Sequence, residues 1–469
     1  MPSKDVLLLP ATELVARIHR GELTATELTE LSLARIADLD GELGAFTVVL
    51  DDRAREAARR VDERIAAGEH LPLAGLTLAV KDHIWLAGAP ATNGSMALAD
   101  FVPSESAVAV ERLEAAGAIV IGKTNNPEFC YGDDTYSPVY GLTRNPWNLN
   151  LTPGGSSGGS AVAVATGMTA LAIGTDGGGS IRIPAAFCGV AGHKPTFGIV
   201  PSQPGFIGWP TLSVFGPLAR STQDLALMMS AMAGEHAADA STVPGPSLKG
   251  LANLSPLKDL KGLRIAVSDD FGFARVDPIV RDAFRQAVDR LAQLGCTIED
   301  AHPEYKNPEP MWWTIAAAES YASEGSLLDR SELIAPNSLS LIRMGEAISA
   351  GEYLDAQHER AEFAKVWGSF FENFDLIVSP GEQVLPFSVE EAEKLRSDEI
   401  AAGDWWGMDC VANLTGQPAT SVPVGIVDGG LPVGMQFMGR PFDDERVLQV
   451  ASTFEALVRG PLMHPPRKG

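Results

Sequence analysis

Residues 152–184 read TPGGSSGGSAVAVATGMTALAIGTDGGGSIRIP, with two glycine–serine clusters at 154–160 and 177–180. Glycine at this density in a polar stretch makes a flexible linker. Here the segment between the clusters is apolar, and so is the continuation IRIPAAFCGV at 181–190. Glycine-rich backbone that is buried has to approach something closely, and we read that something as a reacting carbonyl.

Working outward from this stretch, residues 157–166 predict a small-residue helix, and residues 170–174 predict a strand feeding the second cluster. Upstream, the short apolar run LTLAV at 76–80 predicts a buried strand that ends at Lys81. Thr24 and Glu27 frame a capping box that opens a helix running to about Leu39. A second helix at 52–67 stops at Gly68, so the first 70 residues read as helical. A helix at 107–116 precedes a strand at 118–121. Later strands are expected at 263–268, 376–379, 420–425 and 433–438, with helices such as 278–294 between them. Strands alternating with helices predict an α/β protein, a three-layer α/β/α sandwich around a large central mixed β-sheet. Residues 237–256, rich in Ser, Pro and Gly, read as a connecting loop. Residues 305–370 carry no strand signal and read as a helical insertion, a candidate cap over an active site. The chain is expected to form a single domain over residues 1–469.

Composition excludes several classes. The 469 residues hold 36 Lys and Arg against 60 Asp and Glu, a formal charge of −24. That balance argues against nucleic acid or an anionic membrane as partner, since phosphate binding needs a basic face. The four cysteines, Cys130, Cys188, Cys296 and Cys410, form no C-x-x-C pair, so neither a zinc site nor a disulfide framework is signalled. Reduced thiols and the lack of a signal-peptide pattern at the N-terminus place the chain in the cytoplasm. No metal and no cofactor are expected.

Three strings mislead. GAIVIGKT at 117–124 matches the phosphate-binding G-x-x-x-x-G-K-[ST] letter for letter, but its middle is itself a predicted strand, whereas a phosphate loop follows one. Two frames, centred on Ser156 and Ser157, match G-x-S-x-G, but the preceding NPWNLNLTP is no buried strand for a nucleophile elbow. Asp133 and Asp134 form an acidic pair without the spacing of a metal site.

The glycine stretch, together with GLTLAVKD at 75–82, GKTNNPEF at 122–129, GTDGGGSIRIPAAFCGVAGHKPT at 174–196 and TGQPATSVPVG…GLPVGMQFMG at 415–439, resembles the amidase signature family. The strings occur in the family's order and with its gaps, over most of the chain. The resemblance implies the amidase signature fold and a Ser–Ser–Lys triad. Ser180 corresponds to the nucleophile, Ser156 to the bridging serine after a cis peptide bond, and Lys81 to the base. The family's spacings of 75 residues from lysine to bridging serine and 24 more to the nucleophile are reproduced. A serine hydroxyl needs a neighbour to take its proton. A lysine can do so only when neutral, which requires a buried site. Moving its pKa from about 10.4 to near 7 corresponds to about 4–5 kcal/mol of differential solvation. Gly177, Gly178 and Gly179 correspond to the oxyanion cradle. Ser157, Asp176 and Arg182 match supporting positions, which we read as loop-bracing hydrogen bonds. Cys188 reads as a packed thiol and His83 as a hydrogen-bonding residue.

The resemblance implies an amidase that cleaves the C–N bond of a small carboxamide or anilide through a seryl acyl-enzyme. Carbamates (urethanes), esters and hydrazides suit the same triad. Cys130, Tyr131 and Gly132 are expected near the acyl side, and Trp209, Trp312, Trp313, Trp405 and Trp406 are candidate pocket walls. The glutamine-using component of the tRNA-dependent amidotransferase carries M-D-E-F where this chain has Asn126-Pro127-Glu128-Phe129. On that departure a stand-alone monomer or homodimer, acting on a small molecule without nucleic acid or membrane, is expected over that component. The remaining alternative is a non-catalytic binding protein.

Overall fold

The computed structural model describes residues 4–397, 406–427, 429–458 and 465. Its strands are β1 (Phe46–Val49), β2 (Thr77–Lys81), β3 (Ile119–Thr124), β4 (Tyr136–Ser137), β5 (Gly141–Leu142), β6 (Leu171–Asp176) and β7 (Ala191–Lys194). The later ones are β8 (Val214–Ala219), β9 (Arg264–Val267), β10 (Thr297–Asp300), β11 (Leu376–Pro380), β12 (Ala419–Val427) and β13 (Leu431–Met438). Eleven of them form one mixed sheet in the order β1-β3-β2-β6-β8-β7-β12-β13-β11-β9-β10, and β4 with β5 makes a separate small ladder.

Every residue of β2, β3, β6, β7, β8 and β11 is buried. Side chains alternate between the two faces of a strand, so both faces of the sheet are covered. The layered α/β architecture expected from the sequence is the one observed.

Local signals set the elements as expected, with small shifts. Thr24 and Glu27 make the reciprocal capping box that opens the helix Ala25–Leu43, and Gly44 closes it in the left-handed conformation. That helix runs four residues beyond its expected end. The next helix is Asp51–Ala66. Between them lies β1, a correction to the all-helical reading of the first 70 residues. Its residues are only half-buried or exposed at the sheet edge, so no apolar run marks it. β7, β8 and β10 were also unexpected. β7 is AGHK, with a buried histidine and lysine, β8 contains Gly-Pro, and β10 is TIED on the far edge.

The phosphate-loop string is indeed strand: Ile119–Thr124 is β3. Its Lys123 is fully buried and donates to the carbonyls of Asp82, Ile84 and Pro90. Residues 237–256 contain one short 3-10 turn, Lys249–Asn253. The region 305–370 holds the helices Glu309–Glu324, Pro336–Ala347 and Ala350–Phe370 and, as expected, no strand. Among the described residues no helix is long and apolar enough to cross a membrane.

β2 pairs in parallel with both β3 and β6. The C-terminal ends of β2 and β6 therefore open on one edge of the sheet. That edge is where both glycine clusters meet.

Candidate active site

Lys81 is the last residue of β2 and is fully buried. Its Nζ lies 2.7 Å from Ser156 Oγ, 3.0 Å from Ser157 Oγ and 2.7 Å from Thr175 Oγ1. Ser156 and Ser157 precede the helix Gly158–Ala165, and the Gly155–Ser156 peptide is cis. Thr175 comes from the end of β6. Burial pushes the Lys81 pKa down, while Cys130 and Asp176 pull it back up.

The protons around Lys81 can be assigned from their partners. The Ser157 hydroxyl donates to the Thr175 carbonyl at 3.2 Å. The Thr175 hydroxyl points to Cys130 Sγ at 3.9 Å. The Ser156 proton alone of the three is uncommitted. A lysine amine that has lost its proton has two donors and one lone pair, so its N–H groups can serve Ser157 and Thr175 while its lone pair accepts the Ser156 proton. The geometry suits proton transfer between Ser156 and Lys81.

Ser180 is half-buried, whereas Lys81 and Ser156 are inaccessible. Its carbonyl accepts from Ser157 N–H at 3.1 Å, which ties the two glycine clusters together. No hydrogen bond joins the Ser156 and Ser180 hydroxyls among the described residues. Such links commonly tighten only when substrate is bound.

Asp176 braces the second cluster. It accepts from Gly179 N–H at 2.9 Å and from Ile181 N–H at 3.1 Å. Arg182 grips the same carboxylate through Nε at 3.0 Å and Nη2 at 2.9 Å, with both side chains fully buried. Burial alone would raise the Asp176 pKa, but the Arg182 guanidinium outweighs it and holds the carboxyl well below its usual range. Arg182 also donates to the Gln436 and Asn413 side chains and to the Asp409 carbonyl.

The cradle differs from expectation at one position. Gly179 N–H is already taken by Asp176, so Gly179 is a bracing residue and not an oxyanion donor. Gly177 and Gly178 lie under indole rings. A Cβ on Gly177 would stand 2.5 Å from Trp209 Cε3, and one on Gly178 would stand 2.8 Å from Trp312 Cζ2. Trp312 Nε1 donates to the Gly177 carbonyl at 3.0 Å. Glycine is required here by the aromatic ceiling as well as by any approaching carbonyl. Trp312 sits on the helix Glu309–Glu324, and sequence reasoning had no way to place it over this loop.

The pocket residues scatter more widely. Cys130 Sγ is 3.7 Å from Asn93 Oδ1, and His83 Nδ1 lies 2.9 Å from the same oxygen. Burial would raise the Cys130 thiol, but Lys81 and His83 bring it down to about 6. The thiol thus sits behind Thr175 on the base's side. Tyr131 meets Trp313 edge-on at 6.0 Å, and Trp313 meets Trp312 at 5.0 Å. The Gly132 carbonyl packs against Gly155, where a Cβ would meet it at 2.4 Å. Trp405 and the side chain of Trp406 lie outside the described residues. Cys188 is buried, as expected. Asp134 is paired with Arg396, which accounts for half of the acidic pair. Among the described residues no group of His, Cys, Asp and Glu is placed to hold a metal ion.

The chain is similar to known proteins along most of its length. The Amidase family model matches residues 27–448. The A-type component of the glutamyl-tRNA(Gln) amidotransferase of Chloroflexus aggregans is 38% identical over 93% of this chain and 93% of its own. A bacterial aryl acylamidase of the amidase signature enzymes superposes with a TM-score of 0.86, at 28% identity and 96% coverage of each chain. The corresponding amidotransferase component from Thermotoga maritima superposes with a TM-score of 0.78, at 28% identity and full coverage of both chains.

These relatives correct two expectations. The reading as a stand-alone hydrolase of small carboxamides, anilides or carbamates is overturned by full-length relatives that are named as amidotransferase subunits. The expectation of a monomer or homodimer with a small-molecule partner and no nucleic acid falls with it. The physical reason is that a Ser–Ser–Lys site encodes how an amide is cleaved, not what receives its nitrogen. A single departure at 126–127 weighs little against similarity along the whole chain.

Proposed function

The chain belongs to the amidase family, and we propose that it is the amide-cleaving component of a glutamyl-tRNA(Gln) amidotransferase, releasing ammonia from a carboxamide such as that of glutamine. The chemistry rests on one observation above all: a wholly buried Lys81 amine 2.7 Å from the Ser156 hydroxyl. The choice of amide and assembly rests on the full-length similarity to the Chloroflexus amidotransferase component.

In this reading Ser180 Oγ attacks the amide carbon, and its proton passes to Ser156 as Ser156 gives its own to Lys81. The oxygen that becomes negative is met by the N–H groups of Gly177 and Gly178. The Lys81 proton returns through Ser156 to the leaving nitrogen, the C–N bond breaks, and ammonia departs from an acylated Ser180. Water then attacks the ester by the same proton route in reverse. Ser157, Asp176 and Arg182 hold the two loops in place. Residues 305–370 act as a cap within a single domain, an idea supported by Trp312 lying on Gly178. Four free cysteines suit a reducing cytoplasm.

The test has two arms. Ammonia release from L-glutamine is measured for the parent and for Ser180→Ala, and the tagged chain is purified from its native cells. Loss of ammonia release in the variant, with co-purifying partner proteins, is expected. A chain that purifies alone and leaves glutamine untouched refutes the proposal.

A further inference from the structure

The proton relay leaves one nucleophilic side chain beside the base unused. Cys130 ends the short 3-10 turn Glu128–Cys130. Phe129 and Cys130 both adopt the left-handed region, at φ 53° and 61°, and so does Asn93 facing them, at 49°. Non-glycine residues enter that region only where their surroundings hold them. Here Phe129 N–H donates to the Asn93 carbonyl at 2.8 Å and Cys130 N–H to the Pro127 carbonyl at 3.0 Å. The sulfur is thereby set 3.9 Å from Thr175 Oγ1 and 3.7 Å from Asn93 Oδ1.

The hydrogen bonds leading to this sulfur run in one direction. Lys81 Nζ donates to Thr175 Oγ1 at 2.7 Å, and the Thr175 hydroxyl points on to Cys130 Sγ. Donors aligned head to tail reinforce one another, and this chain ends on a sulfur that accepts. A thiol gives up its proton readily beside a lysine and a histidine. While the proton is present it goes to Asn93 Oδ1, which also lies 2.9 Å from His83 Nδ1. Glu324, at the end of the helix Glu309–Glu324, is within electrostatic reach of the sulfur. Burial and the thiolate push its carboxyl well up, so it keeps its proton and adds no second anion. Asp176 acts on Lys81 as well, but Arg182 matches it at 2.9 Å and Lys194 adds a further positive charge. Of the two anions that act on Lys81, Cys130 is the one that no arginine matches.

A buried lysine base faces two opposed demands. Burial keeps the amine neutral before the reaction, but it also penalises the ammonium that forms when the amine takes a proton. A fixed anion linked to the amine through Thr175 offsets the second effect. We propose that Cys130 is a positioning residue for the amide cleavage, a thiolate that supplies the counter-charge to Lys81 while Lys81 carries the Ser156 proton. In that step the Ser156 O–H bond breaks, an N–H bond forms on Lys81, and the sulfur neither gains nor loses a proton. The inference deepens the proposed function and rests on Lys81 being the base.

Two measurements test it. The first is ammonia release from L-glutamine against pH for the parent, Cys130→Ser and Cys130→Ala. Serine keeps the hydrogen-bonding capacity without ionising. An opposite charge at this range moves a titration by about 1–3 pH units, so the rising limb of kcat should lie that much lower in both variants. The plateau should fall about tenfold as the amine becomes a weaker base. A fall in kcat with the limb unmoved is what packing alone would give, and it overturns the proposal. The second measurement needs no turnover. The ultraviolet absorbance of the thiolate is titrated in the parent, with the Cys130→Ser signal subtracted. The Cys130 midpoint should lie at about 6, and in Lys81→Met it should rise by about one pH unit or more. A parent midpoint at the ordinary thiol value of about 8.5, or one that Lys81→Met leaves in place, overturns the proposal. If Lys81→Met does not fold, the parent midpoint decides. If the parent releases no ammonia, the proposed function fails, and the thiolate titration alone decides the charge on Cys130.

Discussion

Replacing Gly178 with alanine tests whether the oxyanion loop is positioned from above by Trp312. The φ of Gly178 lies outside the left-handed region, so alanine brings no backbone penalty of its own. The cost is steric. The new Cβ would stand 2.8 Å from Trp312 Cζ2, whereas carbon atoms settle at about 3.5–4.0 Å. Roughly 0.7 Å or more therefore has to be recovered. The ring cannot swing aside as a flexible tip would. It is tied to the Gly177 carbonyl and packed edge-on against Trp209 at 5.2 Å and Trp313 at 5.0 Å. The loop moves instead, and its donors leave the line of the developing oxyanion. A misplacement of this order costs about 10²-fold in rate, and loss of one donor about 10²–10³-fold. Overpacking lowers stability by about 1–3 kcal/mol. The assay is steady-state ammonia release beside denaturant unfolding. The expected result is a fall in kcat of about 10²-fold in a folded protein. The control is a cycle in which the same change is made in a Trp312→Ala background, where it should cost less than about tenfold. A kcat within about threefold of the parent, or an equal factor in both backgrounds, refutes the reasoning.

The remaining predictions concern protons, ion pairs and metals. The rate should climb with pH as Lys81 loses its proton, and because burial lowers that pKa the rise is expected below the ordinary value of 10.5; a flat profile from about pH 6 to 10 contradicts a lysine base. Asp176 has a depressed folded pKa, so its contribution to stability is full above the ordinary carboxylate value of about 3.9 and is lost only as pH falls through its lower folded value. Arg182→Met leaves that carboxylate buried without its partner and should cost about 3–5 kcal/mol at neutral pH; denaturant curves showing a loss under about 1 kcal/mol would sink the bracing role. Treatment with EDTA should leave ammonia release unchanged, and lost activity restored by a divalent ion would reveal a metal dependence.

How much of this was readable in the sequence varied with the kind of signal. β2 and β6 announced themselves as unbroken apolar runs, and the helix after Thr24 announced itself by its capping box. β7 did not, because its His193 and Lys194 are buried polar residues, the first satisfied across the fold and the second by the neighbouring carbonyl. His193 bonds to Thr420 and Asp444, and Lys194 to the Pro195 carbonyl. β1 and β10 lie on opposite edges, where burial is partial and the alternation fades. The meeting of Lys81 with Ser156 was visible because both residues sit in recurrent strings. Trp312 over Gly178 and a cavity lined by Asp133, Glu382 and Asp409 were not, because each joins segments more than a hundred residues apart with no local pattern to mark the meeting. The identity of the amide and its receiver was misjudged because those properties lie outside the three residues proposed to do the chemistry.

The bonds from Arg182 to Asn413 and Gln436 have a consequence for how the chain is made. By the time residue 180 has left the ribosome, the proposed base, relay and nucleophile have all been synthesised. The side chains that complete the grip of Arg182 on the loop belong to the last eighth of the polypeptide. Synthesis runs from the N-terminus at a finite pace, so a nascent or prematurely ended chain holds every reactive group without the clasp that aligns them. On the proposed mechanism, Ser180 stays unarmed until the protein is nearly finished.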